Sequence, residues 1–191
     1  NDIRGCFLIL VTMSKKILEI KNLITEFKSD NHSIKAVNDI SFSIKEGEIV
    51  GIVGESGSGK SVTSLSAMGL IPNPPGKITQ GEILFETSDG TIVDTTKLDS
   101  QGLRKIRGNE ISMIFQEPMT SLNPVFTCGN QVTEAIILHQ KISKKEAKFK
   151  TIELFNKVEL PRPHDIFNQY PHQLSGGQKQ RVMIAMAISC N

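Results

Sequence analysis

Cysteine is scarce in this chain. Cys6, Cys128 and Cys190 lie far apart, and no two of them form a CxxC pair. That excludes a disulfide framework and a cysteine-based metal cluster, and it reads as isolated thiols of a reducing compartment. Long apolar runs are lacking too. No stretch approaches the roughly 20 apolar residues of a membrane-spanning helix, and the run at residues 6–11 is short even for the core of a signal peptide. Charge of one sign is also lacking: 22 Lys and Arg stand against 20 Asp and Glu, for a net charge of +2. There is therefore no global electrostatic case for a nucleic acid or a lipid surface as partner. Internal repeats and low-complexity tracts are absent from the sequence. What remains is an ordinary globular composition over 191 residues, enough for one domain with a real core.

Apolar periodicity divides the chain. Ile40, Phe42 and Ile44 alternate with Ser41, Ser43 and Lys45, which predicts a half-buried strand, and Leu18 and Ile20 predict another before it. Ile83 to Phe85 reads as a strand followed by a hairpin turn at Asp89-Gly90. Residues 49–53 and 111–115 are short apolar runs of the kind that form strands buried on both faces. Helices are expected from Lys60 to about Leu70, ended by Gly69 and Pro72, and from Leu103 to Arg107, stopped at Gly108. Further helices are expected over residues 129–140, from the capping box Ser143-Lys144-Lys145-Glu146 through Val158, and from Ser175 through Ser189. Residues 161–170 read as irregular. Strands thus dominate the first part and helices dominate residues 119–174, the pattern of an α/β core carrying a helical insertion. His139 falls on an apolar stripe as a structural residue. Lys141, Lys144, Lys145, Lys148 and Lys150 read as a solvated helix face.

Two glycine-bearing runs carry chemistry. The first is Gly54-Glu55-Ser56-Gly57-Ser58-Gly59-Lys60-Ser61, a match to G-x-x-x-x-G-K-[ST] that follows an apolar run and opens a helix. Glycines there let successive backbone N–H groups converge on phosphate oxygens, and the helix adds the positive end of its dipole. Lys60 would reach the β- and γ-phosphates, and Ser61 would ligate Mg²⁺. ATP is the expected ligand. The second run is Leu174-Ser175-Gly176-Gly177-Gln178. A helix start needs a cap, which Ser175 supplies, but it does not need two glycines, each costing about 1 kcal/mol relative to Ala in a helix interior. Glycines fit there if another molecule approaches the backbone closely.

With both runs in this order, the sequence resembles the nucleotide-binding domain of ABC transporters, from about Met13 to Asn191. The finer resemblance is to the ATP-binding subunits of dipeptide, oligopeptide and nickel importers. It rests on the glycine loop, on Met68-Gly69-Leu70-Ile71-Pro72, on Phe115-Gln116-Glu117-Pro118-Met119-Thr120-Ser121-Leu122-Asn123-Pro124, on Tyr170-Pro171-His172-Gln173 leading into the LSGGQ run, and on Arg181-Val182-Met183-Ile184-Ala185-Met186-Ala187. The resemblance implies a P-loop NTPase of α/β class with an N-terminal antiparallel β subdomain and a helical insertion. It divides the chain into residues 13–118 (β subdomain and first part of the core), 119–174 (helical subdomain) and 175–191 (signature and following helix). Residues 1–12 read as upstream translated sequence, or alternatively as an extra strand.

The same resemblance implies roles. Gln116 would contact the metal or the attacking water. Ser175, Gly176, Gly177 and Gln178 would close on ATP held by a second ATP-binding subunit, identical or not, in a head-to-tail dimer. Phe27 would stack on adenine, the alternative being a core or edge aromatic. Residues 119–124 would help form the groove for a cytoplasmic helix of the membrane subunits, the alternative being an ordinary connector. The implied whole is an ATP hydrolase peripheral to the cytoplasmic side of the membrane. It would work with two permease subunits, would meet a substrate-binding protein only indirectly, and would bind no nucleic acid. It would drive uptake of di- or oligopeptides, the alternatives being nickel or another small solute, or a soluble ABC-type ATPase acting on nucleic acid or ribosomes.

The family's metal-binding aspartate, catalytic glutamate and distal histidine lie after the helix that ends near Ser189, beyond the last residue of this sequence. The chain therefore reads as the first part of a longer protein, with part of its core missing. A sheet short of a central strand exposes an apolar edge, and phosphoryl transfer to water depends on positioned charge, so the 191-residue chain is expected to be poorly soluble and to bind ATP without efficient hydrolysis. A steady-state phosphate-release assay checks this: the expected rate is background, and robust magnesium-dependent turnover refutes it.

Overall fold

The computed structural model describes residues 15–29, 32–115 and 121–190. They fall into two compact units, one ending at Leu98 and the other beginning at Asp99.

The first unit is built on a four-stranded antiparallel sheet in the order β2-β1-β3-β4, with β1 at Lys16–Ser29, β2 at His32–Lys45, β3 at Gly76–Glu86 and β4 at Ile92–Asp94. Three adjacent strands share one irregularity. Asn22 on β1 and Asp39 on β2 take positive φ (46° and 52°), and Gly81 on β3 has φ 99°. The pairing register shifts at this level on both sides of β1. Asn22 Nδ2 donates to Asp39 Oδ1 at 3.0 Å, and the Asn22 amide donates to Ser41 Oγ at 2.8 Å, so the bulged backbone stays satisfied. The bulge changes the strand's alternation, so that Ile20 and Leu23, three residues apart, both face the core with Val37 and Ile83.

Helix α1 (Lys60–Ala67) packs on this sheet. Ser66 Oγ donates to the Val62 carbonyl, which leaves its lone pairs to accept from Thr25 Oγ1 at 3.0 Å. Both hydroxyls are buried. The helix ends three residues before the position expected from sequence. Gly69 has φ 62°, and the Leu70 amide returns to the Leu65 carbonyl, a left-handed glycine stop. The Asp89-Gly90 hairpin forms as expected, closed by Thr87 N–H to the Thr91 carbonyl at 2.9 Å.

The second unit is helical: α2 (Ser100–Ile106), α3 (Cys128–Gln140), α4 (Lys144–Lys157), α5 (Pro163–Asn168) and α6 (Gly176–Ala187). Val132, Ile136, Phe155, Phe167, Val182 and Met183 are among its buried core residues. A Cβ on Gly129 would run into the Phe167 ring, so glycine lets α3 lie close over α5. The α5 helix falls in the stretch read as irregular. Pro163 at its start presets φ, and burial of Ile166 and Phe167 stabilises a single short turn that local propensity does not announce.

Two expected strands are not formed. Residues 49–53 and 112–115 belong to no ladder, and residue 111 makes only an isolated bridge with Arg107. Ile49 and Val53 are 97% and 96% exposed. A parallel strand acquires its hydrogen bonds only from neighbouring strands, and among the described residues these two runs have none. Their composition is that of buried strands, but the strand expected at each is not formed.

Gly81 provides a test of the shared bulge. A Cβ there would sit 2.6 Å from the carbonyl oxygens of both Lys21 and Asn22 and 2.7 Å from Leu23 Cα. Gly81→Ala is expected to cost about 2–4 kcal/mol, read as a lower urea midpoint. Gly90→Ala, with a similar φ of 85° but only Glu86 Oε1 near the new Cβ, at an ordinary contact distance of 3.9 Å, is expected to cost about 1 kcal/mol. Equal shifts for the two would remove the steric argument.

Candidate phosphate-binding site and signature helix

The glycine loop arrives at the N-terminus of α1 as a cradle. Gly57 and Gly59 have φ 82° and 88°, the left-handed region that glycine enters without strain. At Gly59 tertiary packing adds a second demand. A Cβ would strike the carbonyl oxygen of Ala36 on β2, so only glycine lets the helix start lie against that strand. The resulting cleft, about 150 Å³, is lined by Ala36, Gly57, Ser58, Gly59, Lys60, Ser61 and Val62. Ligand pockets that hold a whole drug-sized molecule run from about 300 Å³ upward. This cleft suits the phosphate end of a nucleotide, with the nucleoside outside it.

Lys60 arches back over the loop. Its ammonium donates to the carbonyl oxygens of Gly54 (2.7 Å) and Glu55 (2.6 Å) and to Ser58 Oγ (3.1 Å). All three ammonium protons are thus held by neutral acceptors on the loop itself, with the positive charge above the helix N-terminus. Ser61, one residue on, is exposed and reaches the same cleft. Glu55 and Ser56 are exposed on the loop's outer side, and Glu55 contributes its backbone rather than its carboxylate. Sequence reading missed Ala36 and Val62. No local signal marks Ala36, because its place in the site follows from how β2 packs on the loop.

Phe27 lies on β1, half-buried, paired with Ile34 and Gly76. Its ring sits where a Gly76 Cβ would be, with Cε1 2.8 Å from that point and Ile71 beside it. It does not line the phosphate cleft. Gln116, like residues 117–120, lies outside the described residues.

In the second unit Ser175 caps α6 in a complete capping box. Ser175 Oγ accepts from the Gln178 amide at 3.3 Å, and Gln178 Oε1 accepts from the Ser175 amide at 2.9 Å. The Gln178 side chain is therefore engaged at its own helix start. Gly176 and Gly177 are exposed, and a Cβ on either would meet nothing within 4 Å. Among the described residues nothing packs against this helix start that would require two glycines. Arg181, two turns on, fixes the helix: its Nη1 donates to the carbonyls of Val158 and Glu159, both at 2.8 Å, at the C-terminal end of α4. Cys128 is fully buried, and burial pushes its thiol up to about 11 against the partial pull of the Lys179 charge, so it is an inert core residue.

Among the described residues no helix is long and apolar enough to cross a membrane. Residues 37–191 match the ABC transporter family. The chain is 52% identical over 175 residues to the oligopeptide transport ATP-binding protein AppD of Bacillus subtilis, covering 92% of this chain and 52% of that protein. It is 46% identical over 181 residues to the glutathione import ATP-binding protein GsiA of Pectobacterium atrosepticum, covering 95% of this chain and 29% of that one. The chain thus spans about half, or less, of the length of these relatives. Among solved structures, a dimeric ATP-binding cassette in a post-hydrolysis state bound to ADP and Pi superposes with a TM-score of 0.76 at 33% identity, over 91% of this chain and 70% of that one. The fold is that of an ABC nucleotide-binding domain, and the chain belongs to the ABC transporter family.

Proposed function

We propose that this chain is the ATP-binding part of an importer subunit that couples ATP binding and hydrolysis to uptake of di- or oligopeptides across the cytoplasmic membrane. The observation that carries the reading is the presence of a lysine-topped cradle at one helix start and of a second helix start whose glycines face nothing among the described residues. The names of the relatives, peptide and glutathione import ATP-binding proteins, support the substrate class.

Each residue has a definite task in this reading. Backbone N–H groups at residues 57–61 bind the phosphates, and Lys60 exchanges neutral loop carbonyls for charged phosphate oxygens, which make roughly twice as strong an acceptor. Ser61, exposed in the cleft, and Gln116 would hold Mg²⁺, which would neutralise phosphate charge there. Phe27 would place adenine at the sheet end of the site. Ser175 and the bare amides of Gly176 and Gly177 would close on ATP held by a second ATP-binding subunit in a head-to-tail dimer, with the Gln178 side chain keeping that helix start in shape. Closure on ATP and reopening after hydrolysis would move two permease subunits, with the assembly peripheral to the cytoplasmic face. The division into residues 13–118, 119–174 and 175–191 belongs to the same proposal.

The second unit offers a groove for the membrane partner. Phe126, Asn130, Thr133, Glu134, Ile137 and Leu138 are among the residues lining a cavity of about 450 Å³. Phe126 and Leu138 are 52% and 70% exposed, and Val125 beside them is 69% exposed. An apolar trough bounded by Glu134 and Lys144 is the shape that accepts an amphipathic helix.

Three measurements test the proposal. Lys60→Ala is expected to weaken ATP binding by the chain at least tenfold in calorimetry, and unchanged affinity sinks the phosphate assignment. Gly177→Val is expected to leave ATP binding by the isolated chain intact while abolishing ATP-dependent dimerisation of the full-length protein, seen in size-exclusion chromatography. Leu138→Asp is expected to preserve both and to reduce co-purification with the permease subunits several-fold.

A further inference from the structure

A second, separate cleft lies in the helical unit, where three chain segments converge. The last turn of α2 contributes Arg104 and Lys105, the turn after it Arg107, and the end of α3 contributes Leu138, His139 and Lys141. The volume is about 790 Å³, within the range of small-molecule sites. The walls are fixed by specific contacts. Gly108 has φ 79°, and a Cβ there would sit 2.9 Å from His139 Nε2, so the turn is seated against the imidazole. Lys141 ends α3 in the left-handed region at φ 53°. The preceding Gln140 is anchored twice, donating to the Ser189 carbonyl at 2.8 Å and accepting from Lys150 Nζ at 2.7 Å.

The charge of this cleft is one-sided. Four permanent cations line it, and no carboxylate does so among the described residues. Basic residues near helix C-termini are usually explained by the helix dipole, but each helix end carries only about half an elementary charge. The ends of α2 and α3 together account for about one of the four. Glu110, in the same turn, accepts from Asn109 Nδ2 at 3.3 Å and can offset one more. About two positive charges are left facing a concave surface that also offers an imidazole ring and the 70% exposed Leu138. Arginine forks suit phosphate oxygens, and two of the four cations are arginines.

From this we infer a binding site for a soluble small molecule bearing at least two phosphate groups, held between α2 and the end of α3 and distinct from the glycine loop. Such a ligand would bridge the two helices and brace the turn between them. The inference does not depend on the transport reading.

Inorganic pyrophosphate is the probe, titrated calorimetrically at low salt into the 191-residue chain carrying Lys60→Ala, which silences the glycine loop. One remaining site is expected. Adding Arg104→Ala and Lys141→Ala is expected to weaken it at least tenfold, while Arg104→Lys with Lys141→Arg keeps it within about twofold. The Arg104→Ala, Lys141→Ala pair in a chain with intact Lys60 is expected to retain ATP binding, which shows that the chain is folded. Loss of all pyrophosphate binding on Lys60→Ala alone, or indifference to the alanine pair, overturns the inference. Sedimentation with phosphatidylglycerol vesicles, lost in the alanine pair, without any pyrophosphate binding also overturns it, because the phosphate would then belong to a lipid surface.

Discussion

The first unit depends on how closely the start of α1 approaches the backbone of β2. Gly59 lies against the Ala36 carbonyl at a distance that any side chain would prevent. At its other end the same helix is tied to β1 through the buried Thr25–Ser66 hydroxyl pair. These two attachments fix an eight-residue helix on the sheet at both ends. The loop before it must then turn back sharply, and the left-handed glycines at 57 and 59 allow it to do so. The cleft and the position of Lys60 both follow from that one close approach.

Lys60 shows why the cradle can be ready before a ligand arrives. A lysine ammonium left alone at a helix N-terminus would be repelled by the positive dipole end. Here two loop carbonyls and a serine hydroxyl hold it in place. Those acceptors are neutral, so an incoming phosphate competes well for the same protons, and the ammonium needs no large displacement to change partners. In the proposed reading the loop's own carbonyls would stand in for phosphate oxygens, which would limit the reorganisation that binding requires.

Much of the local structure was legible in the sequence because its causes lie within a few residues of each other. The capping box at Ser175 and Gln178, the cap at Ser143, the glycine stops at Gly69 and Gly108 and the Asp89-Gly90 hairpin are all of this kind. What was not legible depends on distant chain. The matched bulge at Asn22, Asp39 and Gly81 requires three strands to agree, and none of the three positions announces it alone. Ala36 enters the phosphate cleft only through tertiary packing. The short helix at Pro163–Asn168 forms because Ile166 and Phe167 find the core. Residues 49–53 illustrate the opposite case: their apolar pattern predicts a buried strand, but the run is exposed and pairs with no strand among the described residues.

The signature helix then presents an energetic asymmetry. Two glycines at the start of α6 forgo helix propensity worth up to about 1 kcal/mol each, and stability is a small difference between large terms. Inside the core, the matching sacrifice at Gly129 is explained by the Phe167 ring that occupies the space. At Gly176 and Gly177 no described residue occupies it. A complete capping box and the clamp of Arg181 on the end of α4 meanwhile hold the helix start firmly in one shape. A firmly held helix start with open space over its glycines is the arrangement on which the proposed contact with a second subunit rests. Of the two glycine-bearing helix starts, the first holds its own lysine through loop carbonyls, and the second leaves the space over its glycines open among the described residues.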